Sequence, residues 1–253
     1  MEGLTIVIPA WNEEDRLVRT LDRYLPVLEA RPDPFEIVVV TDGSRDRTAE
    51  MARCYLSRHV RVLEFPDKLG KGGAILAGLR EARYDHVGYL DADGPIAPAD
   101  FLGLGEALKE VDCVVASRWT RGSRVLRPEP VFNRLAGRVW NFLVRSMLFL
   151  PVKDTQCGAK LLRRSVILPT LRCVALTNRA FDVDFLYHLT KNGHALREVP
   201  VTWSHDSHTR MPIGRAIPVM FISLVGVRVM NLPIGRRIPP RWVNWFLQKW
   251  GTI

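Results

Sequence analysis

The amino-acid sequence predicts an α/β fold, a mostly parallel sheet flanked by helices. Short apolar runs alternate with helical segments through residues 4–90, joined by brief turns. That alternation marks βαβ units, whose strands are covered on both faces and so read as unbroken apolar stretches. A second observation concerns where the runs stop. Asn12 and Glu13, Asp42 and Ser44, and Asp91 and Asp93 each follow the end of an apolar run. In open parallel sheets a ligand sits beyond the carboxyl ends of the strands, so these polar residues fall where the topology puts a site.

Each element follows from its pattern. Residues 4–9 (LTIVIP) read as a buried strand, and Leu17, Leu21, Tyr24, Leu25 and Leu28 share one face of a helix over residues 15–30. Residues 35–40 (FEIVVV) form a second strand, ending at the turn Thr41-Asp42-Gly43-Ser44, and a helix runs from Asp46 to about Ser57. Residues 60–65 are a third strand. The glycine-rich turn Leu69-Gly70-Lys71-Gly72-Gly73 opens a helix to about Ala82, and residues 86–90 are a fourth strand ending at Asp91-Ala92-Asp93. Past residue 111 the regularity falls. A strand over 112–117, a basic stretch with Arg118, Arg121, Arg124 and Arg127, helices over 132–149 and 181–191, and a late strand over 196–203 complete the domain.

The 253 residues suffice for one large domain with a small appendage, divided as 1–210 and a helical tail over 211–253. In the tail, residues 216–227 are apolar, but twelve residues fall short of the roughly 20 that span a bilayer. Trp242, Trp245, Phe246 and Trp250 form one aromatic face of a last amphipathic segment, Arg241 to Trp250. With 47% hydrophobic and 25% charged residues, the chain is ordinary for a globular protein, and disorder is not its default state. A net charge of +9 suits an anionic partner: nucleic acid, a phosphorylated substrate or a membrane surface. No acidic residue follows Asp206, whereas Arg210, Arg215, Arg228, Arg236, Arg237, Arg241 and Lys249 do. Cys54, Cys113, Cys157 and Cys173 form no C-x-x-C pair, which supports neither a zinc site nor a disulfide framework. A reduced, cytosolic setting is the simplest account, and the N-terminus opens into a strand-like run without a signal-peptide pattern.

Several motifs carry chemistry. Two carboxylates two residues apart at a strand end, Asp91 and Asp93, can approach one divalent cation, and Mg²⁺ and Mn²⁺ favour such oxygen ligands shared with a phosphate. The same pair read alone is also a solvated loop or a helix cap before Pro98. Lys71 invites a phosphate-loop reading, but the full G-x-x-x-x-G-K-[ST] pattern is absent, so the segment reads as a turn beside the ligand and not as an ATPase loop. Asp182 and Asp184 either complement the dipole of the helix they begin or form the acidic edge of a site. The basic run 118–127 and Arg210 read either as solvated surface or as anion-handling groups. Cys157 has no identifiable histidine partner and reads as a buried structural thiol.

Together these residues resemble a known family. V-I-P-A-W-N-E-E at 7–14, V-T-D-G-S-R-D-R-T at 40–48, G-K-G-G-A at 70–74 and D-A-D-G at 91–94 are similar to the GT-A (Rossmann-like) fold of family 2 glycosyltransferases. V-A-S-R at 115–118, D-T-Q-C-G-A-K-L at 154–161 and F-D-V-D-F-L-Y at 181–187 narrow the resemblance to dolichyl-phosphate β-glucosyltransferases, with dolichyl-phosphate mannose synthases as relatives that usually carry another version of the 154–161 motif. The likeness covers roughly residues 3–230. It implies that Pro9, Ala10, Trp11, Glu13 and Asp42 lie against the nucleotide of a nucleotide-diphosphate sugar, with Lys71 and Ala92 in the same donor site. Asp91 and Asp93 are implied to hold Mg²⁺ or Mn²⁺ on the diphosphate. Asp93, Arg118 and Arg210 form the implied catalytic set, Arg118 holding the acceptor phosphate or donor sugar and Arg210 closing on the diphosphate. Arg118, Arg124, Asp154, Gln156, Asp182 and Asp184 are assigned to the acceptor side. The sequence departs from the family pattern at Thr41, usually aspartate, and at Trp11, where tyrosine is common; both lie near the expected base and leave it open. The eukaryotic glucosyltransferases usually have a transmembrane helix, and the basic tail is the expected substitute.

The implied reaction is an inverting transfer, with UDP-glucose favoured as donor, to a polyprenyl or dolichyl phosphate whose oxygen is already anionic and needs no general base. The implied setting is peripheral, on the cytoplasmic face of a membrane, held by the tail. The alternatives are a GDP-mannose-dependent dolichyl-phosphate mannose synthase and a family 2 enzyme with a soluble acceptor. A nucleotidyltransferase lacks its glycine-rich N-terminal signature here, a nucleic-acid-binding protein lacks any recognised motif, and intact Asp91 and Asp93 argue against a catalytically dead binding subunit. Oligomeric state is left open.

Overall fold

The computed structural model describes residues 3–128, 130–204 and 213–232. The chain begins β1 (Leu4–Ala10), α1 (Glu14–Glu29), β2 (Phe35–Asp42), α2 (Thr48–Cys54), β3 (Val60–Phe65), α3 (Lys71–Arg80), β4 (His86–Leu90), α4 (Pro98–Leu108) and β5 (Cys113–Ser117). It continues β6 (Arg124–Arg127), α5 (Val131–Leu148), β7 (Ala159–Arg163), α6 (Arg164–Leu171), α7 (Phe181–Lys191), β8 (Leu196–Pro200), β9 (Thr202–Ser204) and α8 (Ile213–Met230). Seven strands form one sheet in the order β3-β2-β1-β4-β7-β5-β8, and β6 pairs with β9 in a small second sheet. All pairings in the main sheet are parallel except those of β7, which runs antiparallel to both β4 and β5.

Alternation along the strands supplies two cores. Val7, Val38 and Val40 face one side; Ile6, Ile8, Ile37 and Val39 face the other. On the first side pack α3, α6 and α7, with the inner edges of α5 and α8, through Ile75, Ile167, Phe181, Phe185, Val144 and Leu224. On the second side α1 and α4 bring Leu17, Leu21, Tyr24, Phe101 and Leu104, all buried. Each such side chain contributes about 1.5–3 kcal/mol when fully buried. The helical periodicity of residues 17–28 is thus the imprint of a face pressed on the sheet.

The expected alternation holds through β4, and the departures lie beyond it. The late strand expected over 196–203 is two strands in two sheets. Pro200 ends β8, because a residue without an N–H cannot extend the ladder, and the chain crosses to pair with β6. β7 was not anticipated from its own pattern. It is five residues long (AKLLR), carries a lysine in a fully buried position, and lies between β4 and β5 although it follows both in sequence.

α8 contains the apolar run 216–227. Among the described residues no helix is long and apolar enough to cross a membrane. Ser223, Leu224 and Val227 are buried against the domain, and Asn178 Nδ2 donates to Ser223 Oγ at 2.9 Å. The first part of the expected tail is therefore packed on the domain. The aromatic segment 241–250 lies outside the described residues.

The four cysteines divide by burial. Cys54 and Cys173 are exposed, and Cys113 and Cys157 are buried, where burial pushes each thiol up to about 12. Native protein at pH 8 should therefore take up a maleimide at Cys54 and Cys173 within minutes, and at Cys113 and Cys157 only after denaturation. Peptide mapping of the adducts checks this; rapid native labelling of Cys157 would contradict the packing described.

Candidate active site

β4 ends at Leu90, and the D-A-D-G turn stands at its carboxyl end. The Asp91 N–H donates to the Gly158 carbonyl at 3.0 Å, and the Gly94 N–H donates back to the Asp91 carbonyl at 3.0 Å. α1 fastens the turn from the other side. Thr20 Oγ1 donates to the Ala92 carbonyl at 2.7 Å, and Arg23 donates to the Gly94 carbonyl at 3.0 Å. Gly158 lies against the Asp91 carboxylate so closely that a Cβ there would fall 2.0 Å from Oδ2. The glycine of the D-T-Q-C-G run is what allows the lead-in to β7 and the carboxylate to share this space.

Lys71 begins α3 after Gly70, whose φ of +82° favours glycine. Asp42 builds this turn: its buried carboxylate accepts the backbone N–H groups of Leu69 and, at 3.0 Å, Gly70. The Lys71 Nζ then stands 2.6 Å from Asp91 Oδ1. Behind this pair is a second, fully buried one. Lys160 Nζ donates to Asp182 Oδ1 at 2.7 Å and to the Cys157 carbonyl at 3.0 Å, and the Tyr89 hydroxyl donates to the same Asp182 oxygen at 2.5 Å. Burial pushes the Asp182 carboxyl up, but the Lys160 and Lys71 ammonium groups and the two side-chain hydrogen bonds together hold it below the usual range. Burial likewise opposes the charge on Lys71, and Asp91 and Asp182 outweigh it, raising the ammonium's pKa. Two cations and two anions thus alternate from the surface to the core.

The loops after β1 and β2 close on each other. Asn12 takes φ +55°, a conformation asparagine tolerates, and its N–H donates to Ser44 Oγ at 3.1 Å. Ser44 Oγ donates in turn to the Ala10 carbonyl at 3.4 Å, beside Pro9 at the end of β1. The Glu13 N–H donates to Thr48 Oγ1 at 2.7 Å. The Glu13 carboxyl is paired with Arg16; burial pushes it up to about 7, against Arg16 and helped by Asp93 and Asp91. Asn12, Glu13, Arg16 and Arg45 line a cleft of about 600 Å³ here. Trp11 is 41% exposed, with Lys68 Nζ 3.9 Å from its ring centroid.

Arg118 follows β5. Its guanidinium forms a two-pronged pair with Asp154, at 2.8 Å and 2.9 Å, and the Arg118 N–H adds a third bond to the same carboxylate at 2.9 Å. Asp154 is wholly buried, and its own N–H donates to Glu198 at 2.7 Å. Arg118, Trp119, Val125, Arg134, Arg138 and Trp203 border a cavity of about 260 Å³ between β6 and α5. Gln156 lies next to this loop, and its buried Nε2 meets no hydrogen-bond partner among the described residues.

The residues expected on the donor side therefore converge on the ends of β1, β2 and β4, and Arg118, Asp154 and Gln156 form a second group beside them. Arg124 is exposed on β6. Asp182 is a buried partner of Lys160 under the turn and not a solvated helix-end charge. Asp184 is drawn into the fold: it accepts the N–H groups of Ala175 and Leu176 at 2.8 Å and 3.0 Å and lies 3.3 Å from His188 Nε2. Arg210 lies outside the described residues.

Lys160, Tyr89, Gly158 and Asn141 were not singled out from sequence. A lone lysine inside an apolar strand run, with an aspartate in a later motif, was a readable signal for the Lys160–Asp182 pair. The others show only in three dimensions. Asn141 on α5 accepts both the N–H and the hydroxyl of Thr155, at 2.9 Å and 2.7 Å, and so ties α5 to the 154–158 loop.

Removing one member of a buried pair leaves the other charge uncompensated. Asp182→Asn should cost about 3–5 kcal/mol of unfolding free energy. The double variant Lys160→Met/Asp182→Asn should recover a large part of that loss. Urea unfolding of the three proteins checks it; additive losses would contradict a shared pair.

Comparison with known proteins agrees with this fold. A family model described as glycosyl transferase family 2 matches residues 5–168. The chain is 33% identical over 224 residues to the dolichyl-phosphate beta-glucosyltransferase of Drosophila melanogaster, covering 82% of this chain and 69% of that one. It is 31% identical over 224 residues to the protein of the same name from Homo sapiens, with the same coverage. Among solved structures, mannosyl-3-phosphoglycerate synthase from Rubrobacter xylanophilus superposes with a TM-score of 0.68 at 22% identity, covering 91% of this chain and 74% of that one. Glucosyl-3-phosphoglycerate synthase from Mycobacterium tuberculosis, in complex with Mn²⁺, UDP-glucose and phosphoglyceric acid, superposes with a TM-score of 0.63 at 18% identity, covering 90% of this chain and 79% of that one. With a matching model over most of its length and curated relatives above 30% identity, the chain belongs to glycosyl transferase family 2.

Proposed function

We propose that this chain transfers glucose from UDP-glucose to a dolichyl-type polyprenyl phosphate, with inversion at the anomeric carbon. The observation that carries the reading is the carboxylate pair of the D-A-D-G turn, set at the carboxyl end of β4 beside Lys71. The acceptor and sugar follow the name of the Drosophila melanogaster and Homo sapiens relatives, which cover 82% of this chain.

Asp91 and Asp93 would hold Mg²⁺ or Mn²⁺. The donor set fits a hard cation: both are carboxylates, and Gly158 leaves space for Asp91 Oδ2 that any side chain would fill. Such a cation commonly keeps waters and substrate phosphates among its ligands, and these would complete the set beside the two carboxylates. When bound, such a cation supplies Lewis acidity that offsets charge on a departing diphosphate.

The chain's own residues do the rest. Trp11 presents a half-open ring on which a base can stack, flanked by the loops of Pro9, Ala10, Glu13 and Asp42. Lys71 offers an ammonium to the phosphates. Arg118, with Arg134 and Arg138, gives the 260 Å³ cavity a positive lining suited to an acceptor phosphate. Gln156 adds a buried donor that meets no partner among the described residues, and Arg210, which lies outside them, is assigned to the diphosphate in this reading. The acceptor oxygen is already anionic, so positioning it against the anomeric carbon is the main task. In this reading residues 1–210 are the catalytic unit, and the protein works at a membrane surface on its cytoplasmic side. The basic residues of 211–253 and the four free thiols support that location.

The test is sugar transfer to a short polyprenyl phosphate in detergent, with UDP-glucose and GDP-mannose in parallel and Mg²⁺ or Mn²⁺ added. Transfer from UDP-glucose is expected, with Asp93→Ala lowering the rate by at least about a hundredfold. Transfer from GDP-mannose alone would move the donor assignment. Nucleotide binding without transfer from either donor would overturn the lipid acceptor and point to a soluble one.

A further inference from the structure

α5 has an outward face that nothing in the described structure covers. Phe132, Leu135, Val139 and Phe142 are 67%, 60%, 51% and 69% exposed. Their spacing of three, four and three residues places them in one stripe along the helix. Phe149, just past the helix end, is 74% exposed with Arg228 of α8 5.7 Å from its ring centroid, and Leu126 of β6 stands at 66% nearby in the chain. A solvated helix of a globular domain normally turns charged residues outward and apolar ones inward. Here the inward face is already complete, through Asn141, Val144 and Leu148, all buried. The apolar stripe is therefore a second such face, and exposed patches of this kind mark interaction surfaces.

The charges around the stripe select the partner. Arg134, Arg138 and Arg145 recur at helical spacing along one edge of it, and α5 contains no acidic residue. In a two-fold dimer through this face, α5 would meet α5 and bring arginine rows together with no carboxylate on either helix to offset them. An apolar stripe bordered by a row of cations matches the boundary between acyl chains and anionic headgroups instead. Position agrees with chemistry. Arg134 and Arg138 also border the cavity that contains Arg118, so the apolar stripe leads directly to that cavity's rim. Asn141 ties the opposite side of the same helix to Thr155.

We infer that the outward face of α5 docks the protein on an anionic lipid surface, with the mouth of the Arg118 cavity turned toward the headgroups. This deepens the proposed lipid acceptor by naming the surface through which it is reached, and it is distinct from attachment by the segment after residue 232. Apolar side chains of Phe132, Leu135 and Phe142 enter the acyl boundary, the arginines meet the phosphates, and a membrane-borne phosphate reaches the cavity without leaving its bilayer.

The test uses the full chain and flotation with phosphatidylcholine vesicles, with and without phosphatidylglycerol. The native protein should float with the anionic vesicles. Phe132→Gln/Leu135→Gln/Phe142→Gln should lower that partition about a hundredfold. Arg145→Gln should lower it about fivefold on anionic vesicles and leave any partition onto neutral ones unchanged. Equal flotation of the triple variant and the native protein would overturn the inference and leave attachment to the tail. Loss of a native dimer in the triple variant, with flotation unchanged, would overturn it in favour of self-association. Transfer to a short acceptor without vesicles separates this from the proposed function, because the triple variant should keep that rate within about twofold. If no protein transfers sugar but only the native one floats, the docking surface stands and the substrate assignment falls. Should the triple variant lose soluble transfer as well, Arg145→Gln decides by its dependence on vesicle charge.

Discussion

The ion pair between Lys71 and Asp91 joins the two halves of the proposed donor site. β4 delivers the carboxylate, and α3 delivers the ammonium from the first position after a glycine at φ +82°. The pair can sit there because Asp42, at the end of β2, accepts the backbone N–H groups of that turn. It is balanced from below by Lys160 and Asp182, on β7 and α7. Four separate elements and the strand between β4 and β5 thus meet in one charge-alternating column. A column of this kind is costly to leave incomplete in the interior, so its members specify one another's positions.

This explains why an antiparallel strand lies in the middle of an otherwise parallel sheet. β7 brings Gly158 against the Asp91 carboxylate and Lys160 beneath it, two contacts that a parallel strand entering from the other end would not provide. The D-T-Q-C-G-A-K-L segment is then one structural device. Asp154 fixes Arg118, Thr155 fixes α5, Gly158 makes room for Asp91, and Lys160 neutralises Asp182. The proposed donor and acceptor sides share these eight residues, so the distance between the Asp91 turn and the Arg118 cavity is set by a short, mostly buried stretch of backbone.

The Rossmann-like half was legible because periodicity, turn glycines and strand-end polar residues all report on local structure. β1 to β4 and the helices between them follow that code, and the candidate donor residues fall at the strand ends where it puts them. Asp182 and Asp184 show the limit. Both begin α7 and are alike in sequence, yet one completes the charge column and the other holds the loop at Ala175 and Leu176. Their difference is a matter of which way each side chain leaves the helix and what waits there, and neither is encoded in the motif. β7 was hidden for a related reason: a lysine interrupts its apolar run, and that lysine is tolerated only because a carboxylate from a later helix reaches it. The outward stripe of α5 shows the opposite limit. Its apolar residues belong to the helical pattern that signals a core, and only burial separates the face that packs from the face that does not.

The central claim is that Asp91 and Asp93 bind a divalent cation together with the diphosphate of the donor. Calorimetric titration of UDP into the protein, with and without Mn²⁺, tests it most directly, in the native chain and in Asp91→Asn. The account predicts that Mn²⁺ tightens UDP binding by at least about tenfold in the native protein and has no effect in the variant. UDP affinity that ignores Mn²⁺ in the native chain, or equal tightening in Asp91→Asn, would contradict it.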